Sequence, residues 1–307
     1  MRYAITGNGG VGGCLAAWLI ESGNEVAVLA RGAHLAAIRD NGLTLREPAG
    51  ETVVHPAVAT DDGAALGEAD VTIFAVKGQD LGTAIEAARP AIGPETLALP
   101  FLNGVEAPTA LAEAYGEDRA LIGVARIFAF IAEPGVVQLA SPFGRFTIGG
   151  LDGSQADPRV TAIMDNFGAA GIEALECEDL RIDLWTKFVF LTAIAGVTAG
   201  ARVDLATVRS TPELWALYLR LAEEARVGGE ARGIALDEAV QQAIASGRSL
   251  PGEARASLAQ DLAAGKRLET EWLNGAVVRL GAEVGVDAPA HAAVAALLAP
   301  WREGGGG

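Results

Sequence analysis

The sequence is short of the residues that most often mark specialised chemistry. Its 307 residues include two cysteines, Cys14 and Cys177, and three histidines, His34, His55 and His291. Two distant cysteines make no disulfide framework and imply no oxidising compartment. Three scattered histidines are too few for a typical zinc site and leave little room for a Ser-His-Asp hydrolase. Positive charge is scarce as well: 23 Lys and Arg face 39 Asp and Glu, a formal net charge of −16. Such a chain repels phosphate backbones, so nucleic acid is not an expected partner. Long apolar runs are also lacking. The uncharged stretch at 4–20 contains five glycines and an asparagine, and the one at 188–201 is shorter. Neither reaches the ~20 strongly apolar residues of a membrane span. No A-x-A cleavage site follows the apolar start. The expectation is a soluble, cytoplasmic protein without a membrane partner.

What is present reads as globular. Half the residues are hydrophobic and a fifth are charged, and the length suggests two domains. Glycine is abundant at 39 residues, which favours tight turns and close backbone contacts. Residues 1–177 alternate short apolar runs with helical stretches. Strands are expected at 3–6, 25–29, 71–76, 96–102 and 121–129, with a first helix at 14–22. Continuous apolar runs such as Val71 to Val76 suit strands buried on both faces of a parallel sheet. The strands at 136–139 and 146–148, separated by Ser141, Pro142 and Gly144, look like a closing hairpin. Residues 178–307 lose the strand signal. Helices are expected at 180–199, 212–233, 236–246, 252–264 and 269–284, with a last one from Pro289. The fold class is therefore an α/β Rossmann-type, doubly wound N-terminal domain plus an all-α C-terminal domain. Residues 304–307 are a glycine tail without fold content.

Gly7, Asn8, Gly9, Gly10, Val11 and Gly12 fit G-x-G-x-x-G between the first strand and the first helix, the context a dinucleotide loop requires. Gly7 permits the tight turn, Gly9 lets the backbone approach a pyrophosphate, and Gly12 lets helix and strand pack closely. The helix N-terminus offers free N–H groups to the phosphates. An NAD site usually carries a carboxylate at the end of the second strand; here Ala30, Arg31 and Gly32 stand there. Arg31 can pair with a 2′-phosphate, so NADP (NADPH) is the expected cofactor.

These residues occur in order with Val76-Lys77-Gly78-Gln79, Leu102-Asn103-Gly104, Leu184-Trp185-Thr186-Lys187 and Glu269-Thr270-Glu271-Trp272-Leu273-Asn274-Gly275. Together they resemble the ketopantoate reductase family, the 2-dehydropantoate 2-reductases of pantothenate biosynthesis, over nearly the whole chain. L-W-x-K followed by E-x-x-x-x-N-G is the discriminating part. The resemblance implies NADPH-dependent reduction of a small-molecule 2-oxo acid to a 2-hydroxy acid. It implies that Lys187 protonates the nascent alkoxide and that Glu269 works with it. It places Asn103 beside nicotinamide and substrate, Lys77 in the cofactor cleft, and Ser257 on polar groups of the substrate.

The chemistry is coherent on its own terms. Hydride transfer to a ketone develops negative charge on oxygen, and a poised ammonium stabilises that charge and supplies the proton. A neighbouring carboxylate keeps the lysine charged. Plainer roles exist for each residue. Lys187 can snorkel from a helix surface, Glu269 can be a helix first-turn acid, and Asn103-Gly104 is by default a turn. Ser257 can be a surface serine, Lys77 can simply end a strand, and Cys14 reads as packed core. The sequence also departs from the family. Members usually carry asparagines one and two turns after the lysine, where this chain has Leu191 and Ala195, and another three residues before the serine, here Ala254. Spacings of four and eight put Leu191 and Ala195 on the lysine face. Both are therefore read as substrate-site residues, and the substrate as more apolar than ketopantoate. Two other readings stay open: a β-hydroxyacid dehydrogenase, which the later E-x-x-x-x-N-G does not suit, and a non-catalytic NADPH-binding sensor. The apolar helices of the second half are compatible with a homodimer.

Overall fold

The structure, a computed structural model, describes residues 1–141 and 144–305. Pro142 of the expected hairpin turn, and Gly306 and Gly307 of the tail, lie outside the described residues. The chain divides into two compact units, Met1–Leu102 with Glu106–Leu180, and Asn103–Val105 with Arg181–Gly307.

The first unit runs β1 (Arg2–Thr6), α1 (Gly10–Glu21), β2 (Glu25–Leu29), α2 (Gly32–Asn41), β3 (Leu43–Glu47), β4 (Gly50–Val54), β5 (Val58–Thr60), β6 (Ala69–Phe74), α3 (Leu81–Ala88), β7 (Ile92–Pro100), α4 (Ala107–Tyr115), β8 (Leu121–Arg126), β9 (Ala129–Glu133), β10 (Val136–Leu139), β11 (Arg145–Gly150), α5 (Pro158–Ala169) and β12 (Glu173–Ala174). Its main sheet is parallel, in the order β5-β2-β1-β6-β7. Tyr3, Ala4 and Ile5 of the central β1 have no exposed surface, which explains an apolar run without alternation. The chain builds outward from β1 through β2 to β5, then returns to β6 beside β1. The winding therefore reverses between β1 and β6, where carboxyl-end loops form a ligand crevice in doubly wound sheets.

Two expectations are corrected. The run at 121–129 is not one strand: β8 pairs with β11, and β9 pairs with β10. The strands at 136–139 and 146–148 form no hairpin. β10 lies in the four-stranded sheet β4-β3-β10-β9, and β11 in the three-stranded sheet β12-β11-β8. The reason is packing. Val137 of β10 presses on α1 so closely that a Cβ on Gly13 would stand 2.5 Å from its Cγ2. Phe146 of β11 instead makes an edge-on contact with Phe101 at 5.0 Å.

The second unit holds α6 (Leu180–Gly200, from Arg181 on), α7 (Leu205–Ser210), α8 (Pro212–Glu230), α9 (Ala239–Ser249), α10 (Ser257–Ala263), α11 (Asn274–Glu283) and α12 (Pro289–Leu298). It contains no strand among the described residues. α6 agrees with the helix expected at 180–199 to one residue, but, against the expectation that no segment could span, its 21 residues, with a window of mean hydropathy 1.4, are long and apolar enough to cross a membrane. Two thirds of that window is buried inside the protein (67%), as the central helix of a helical unit must be. The helix expected at 269–284 is broken. A 3₁₀ turn covers Thr270–Trp272, Leu273 leaves helical geometry at φ −114° and ψ −98°, and α11 starts at Asn274.

Candidate active site

In the first unit, three expected cofactor residues stand at the carboxyl ends of adjacent strands. Gly7 follows β1 at φ +89°, and a Cβ there would meet the Ala75 carbonyl oxygen at 2.7 Å. On Gly12 it would meet the Gly7 oxygen at 2.1 Å. Gly9 differs: a Cβ there would point into open space. Gly9 caps α1 without a side-chain bond, and no acid occupies the first turn, so the helix end stays open to an anion. Asn8 is almost fully buried at 4% exposure, yet its Nδ2 has no hydrogen-bond partner among the described residues. The opposite end of the same amide is held: His34 Nε2 lies 3.3 Å from Asn8 Oδ1. The Gly135 amide donates to His34 Nδ1 at 2.9 Å, so Nε2 carries the proton and donates to Asn8. Burial pushes His34 below the ordinary imidazole range and keeps it neutral. An open glycine, an uncapped helix end and an oriented, unsatisfied amide suit a dinucleotide phosphate.

Arg31 follows β2, extended at φ −139° and ψ 159°, as the residue capping α2. It is exposed and has no ion-pair partner among the described residues. Lys77 follows β6, half-buried, ahead of the 3₁₀ turn Gly78–Asp80. Val11 lies in the first turn of α1, whose glycine Gly10 is backed by the Ala129 carbonyl of β9.

In the second unit, Lys187 Nζ donates to Asn103 Oδ1 at 3.3 Å. The two are 84 residues apart in sequence, and Asn103 reaches α6 because the segment Asn103–Val105 packs with this unit. Gly104 makes that turn possible at φ +97°, and a Cβ there would lie 2.9 Å from the Trp272 carbonyl oxygen. The Asn103 turn thus touches both α6 and the turn that follows Glu269. Around the half-buried Lys187, Trp185 and Phe188 turn into the core and meet edge-on at 5.5 Å. Glu269 is 5% exposed, and a carboxylate so buried must be paired or hydrogen-bonded. Ser257 opens α10, half-exposed, its hydroxyl unbonded among the described residues. Leu191 is partly exposed, whereas Ala195 is fully buried. Cys14 has no exposed surface, and burial pushes its thiol up to about 12, which leaves it inert.

Sequence reasoning missed His34 and the buried pair Asn274 and His291. His34 has no local signal. Asn274 stood inside E-x-x-x-x-N-G, but only the fold reveals its partners.

A doubly wound dinucleotide fold followed by a helical unit is the architecture of a nicotinamide-dependent oxidoreductase, and the matches below make it one acting on 2-oxo acids. Residues 3–153 match the family model described as Ketopantoate reductase PanE/ApbA, and residues 179–302 match that of its C-terminal domain. The chain belongs to the ketopantoate reductase family. A 2-dehydropantoate 2-reductase of Halobacterium salinarum is 33% identical over 304 residues, covering 97% of this chain and 98% of its own. The crystal structure of a PanE/ApbA family ketopantoate reductase from Ralstonia eutropha JMP134 matches with a TM-score of 0.89 at 28% identity, covering 98% of each chain. The ternary structure of D-mandelate dehydrogenase with NADH and anilino(oxo)acetate also reaches 0.89, covering 98% of each chain. At 21% identity that likeness is one of fold.

Proposed function

We propose that this chain reduces a 2-oxo acid, more apolar than ketopantoate, to a 2-hydroxy acid, with NADPH as cofactor and Lys187 as proton donor. The carrying observation is the Lys187–Asn103 hydrogen bond of 3.3 Å in the helical unit. When bound, the nicotinamide cofactor supplies the hydride. Gly7, Asn8, Gly9, Gly10, Val11 and Gly12 hold its phosphates, Lys77 stands at the neighbouring strand end, and Arg31 takes the 2′-phosphate.

The Lys187 ammonium stabilises the charge that develops on the substrate carbonyl oxygen and passes it a proton. Asn103 accepts one of the three ammonium hydrogens and so orients the other two. Glu269 sustains the charged form of Lys187. The Ser257 hydroxyl, unbonded among the described residues, donates to the substrate carboxylate. Leu191 lines the substrate site with Ala195 packed behind it. Neither they nor Ala254 offer a donor at the positions where the family carries asparagines. In D-mandelate dehydrogenase the same fold holds anilino(oxo)acetate, which supports a larger apolar group here.

The test is the initial rate of NADPH oxidation with ketopantoate beside branched and aromatic 2-oxo acids. The expected outcome is a kcat/KM on the order of tenfold or more higher for the apolar acids. In Lys187→Ala, kcat is expected to fall about 100-fold or more while NADPH affinity stays. A preference for ketopantoate overturns the substrate reading. No turnover with any acid, or full activity in Lys187→Ala, overturns the mechanism.

A further inference from the structure

Among the fully buried polar side chains of the helical unit are Asn274 and His291, which meet each other and which the proposed reaction does not use. Asn274 opens α11 and His291 lies on α12; neither has exposed surface. Asn274 Nδ2 donates to the Thr192 carbonyl of α6 at 3.1 Å and lies 3.0 Å from His291 Nδ1. His291 Nε2 lies 2.9 Å from the Leu221 carbonyl of α8. A carbonyl only accepts, so Nε2 carries the proton and Nδ1 accepts from Asn274. Both amide hydrogens are committed, which settles how the amide points. Its Oδ1 has no hydrogen-bond partner among the described residues, an arrangement that stability alone does not favour. The His291 end is held in turn: the Glu224 carboxylate accepts from the backbone N–H groups of Ala290 and His291 at the start of α12.

A separate observation concerns α6. Gly196 sits in its interior, where only proline is less favourable. A Cβ there would stand 2.9 Å from Asn274 Nδ2 and 2.7 Å from Leu221 Cδ1. The glycine makes the space that the amide enters.

Thr192 follows Lys187 by five residues, and Asn274 follows Glu269 by five. One hydrogen bond therefore joins the helix that carries the lysine to the start of α11, directly after the turn Thr270–Trp272 that Glu269 precedes. We infer that Asn274 is a positioning residue: its amide, admitted by Gly196 and oriented by His291, fixes the Glu269 turn against α6 beside Lys187. The roles of Lys187 and Glu269 rest on the function proposed above. The tie between their segments does not. Asn274 touches no reacting atom; it acts through the turn Thr270–Trp272, which ends against it.

The experiment uses the full chain with Asn274→Ala, Gly196→Ala, His291→Leu and His291→Gln. Glutamine carries both an acceptor and a donor, so it can replace the imidazole. In Asn274→Ala, Gly196→Ala and His291→Leu, kcat with the preferred 2-oxo acid is expected to fall about tenfold or more. KM for NADPH should stay within about twofold, and His291→Gln should recover most of the loss. Hydrogen–deuterium exchange supplies a readout that needs no turnover. In Asn274→Ala, exchange should quicken in both 187–195 and 269–274 and stay unchanged in 1–102. Wild-type kcat with only a lower Tm, or faster exchange in α11 and α12 alone, means a structural role and overturns the inference. If the wild-type chain turns over no 2-oxo acid, the proposed function falls, and the exchange pattern alone decides whether the tie exists.

Discussion

Arg31 and His34 show what single residues add to the proposed cofactor site and how unequally they can be read. Arg31 was legible because one position, the end of the second strand, decides between a ribose hydroxyl and a phosphate. The structure puts it there exposed and without an ion-pair partner. An arginine–phosphate pair is worth about 2 kcal/mol. Arg31→Ala should therefore lose roughly thirtyfold in preference for NADPH over NADH, measured as the ratio of the two kcat/KM values, with NADH kinetics little changed. An unaltered ratio would remove Arg31 from the site. His34 was illegible for a physical reason. Its work is to hold Asn8 Oδ1, 26 residues earlier, while the Gly135 amide, 101 residues later, holds its other nitrogen. No spacing rule connects three such positions. Lys187 lay between the two cases. Its apolar neighbours marked it as costly to bury, but its partner Asn103 is 84 residues away and came from the family resemblance alone.

Among elements, the legible ones were those whose signal is local. β1, α1 and β2 announce themselves through an apolar run, a glycine loop and a second apolar run. Pairing is not local, which is why 136–139 and 146–148 read as a hairpin although β10 and β11 belong to different sheets. The break at Leu273 was equally hidden, since helical periodicity continues across it. The strand–loop–helix unit yields a contrast between neighbouring glycines. On Gly10 a Cβ would stand 2.0 Å from the Ala129 carbonyl oxygen, main chain against main chain, whereas on Gly9 it meets nothing. Gly10→Ala should thus cost about 2 kcal/mol or more in unfolding free energy, because β9 must shift. Gly9→Ala should leave stability within about 0.5 kcal/mol. Its new methyl group would instead stand where a pyrophosphate approaches. Thermal unfolding without cofactor and NADPH titration separate the two effects. Equal loss of Tm in both variants would refute the assignment of Gly9 to the phosphates.

At the scale of the whole molecule, the excess of 16 negative charges invites the expectation that carboxylates govern stability against acid. The structure argues otherwise. The carboxyls of Glu86, Asp157, Asp204 and Glu223 are held low by Arg89, Arg159, Thr207 and Arg226 respectively, but none of the four is buried, and solvent-accessible pairs contribute little. His291 is buried, and burial pushes it down from 6.5 to about 4, with the nearby Glu224 and the Leu221 carbonyl opposing the shift. Its folded-state value lies below its unfolded one, so the unfolded chain takes up the proton first. Stability is then intact above pH 6.5 and is lost as pH falls from 6.5 towards 4. The loss reaches about 2 kcal/mol at pH 5 and about 3 kcal/mol below pH 4. Protonation would also turn Nδ1 from an acceptor into a donor and break its bond to Asn274. Urea unfolding at pH 7.5, 6 and 5 checks this. The wild-type midpoint should fall over that range, and His291→Gln, which cannot titrate, should keep a nearly flat midpoint from a lower starting value. If both proteins lose stability in parallel, the acid sensitivity belongs to the carboxylates, and the buried histidine is not its source.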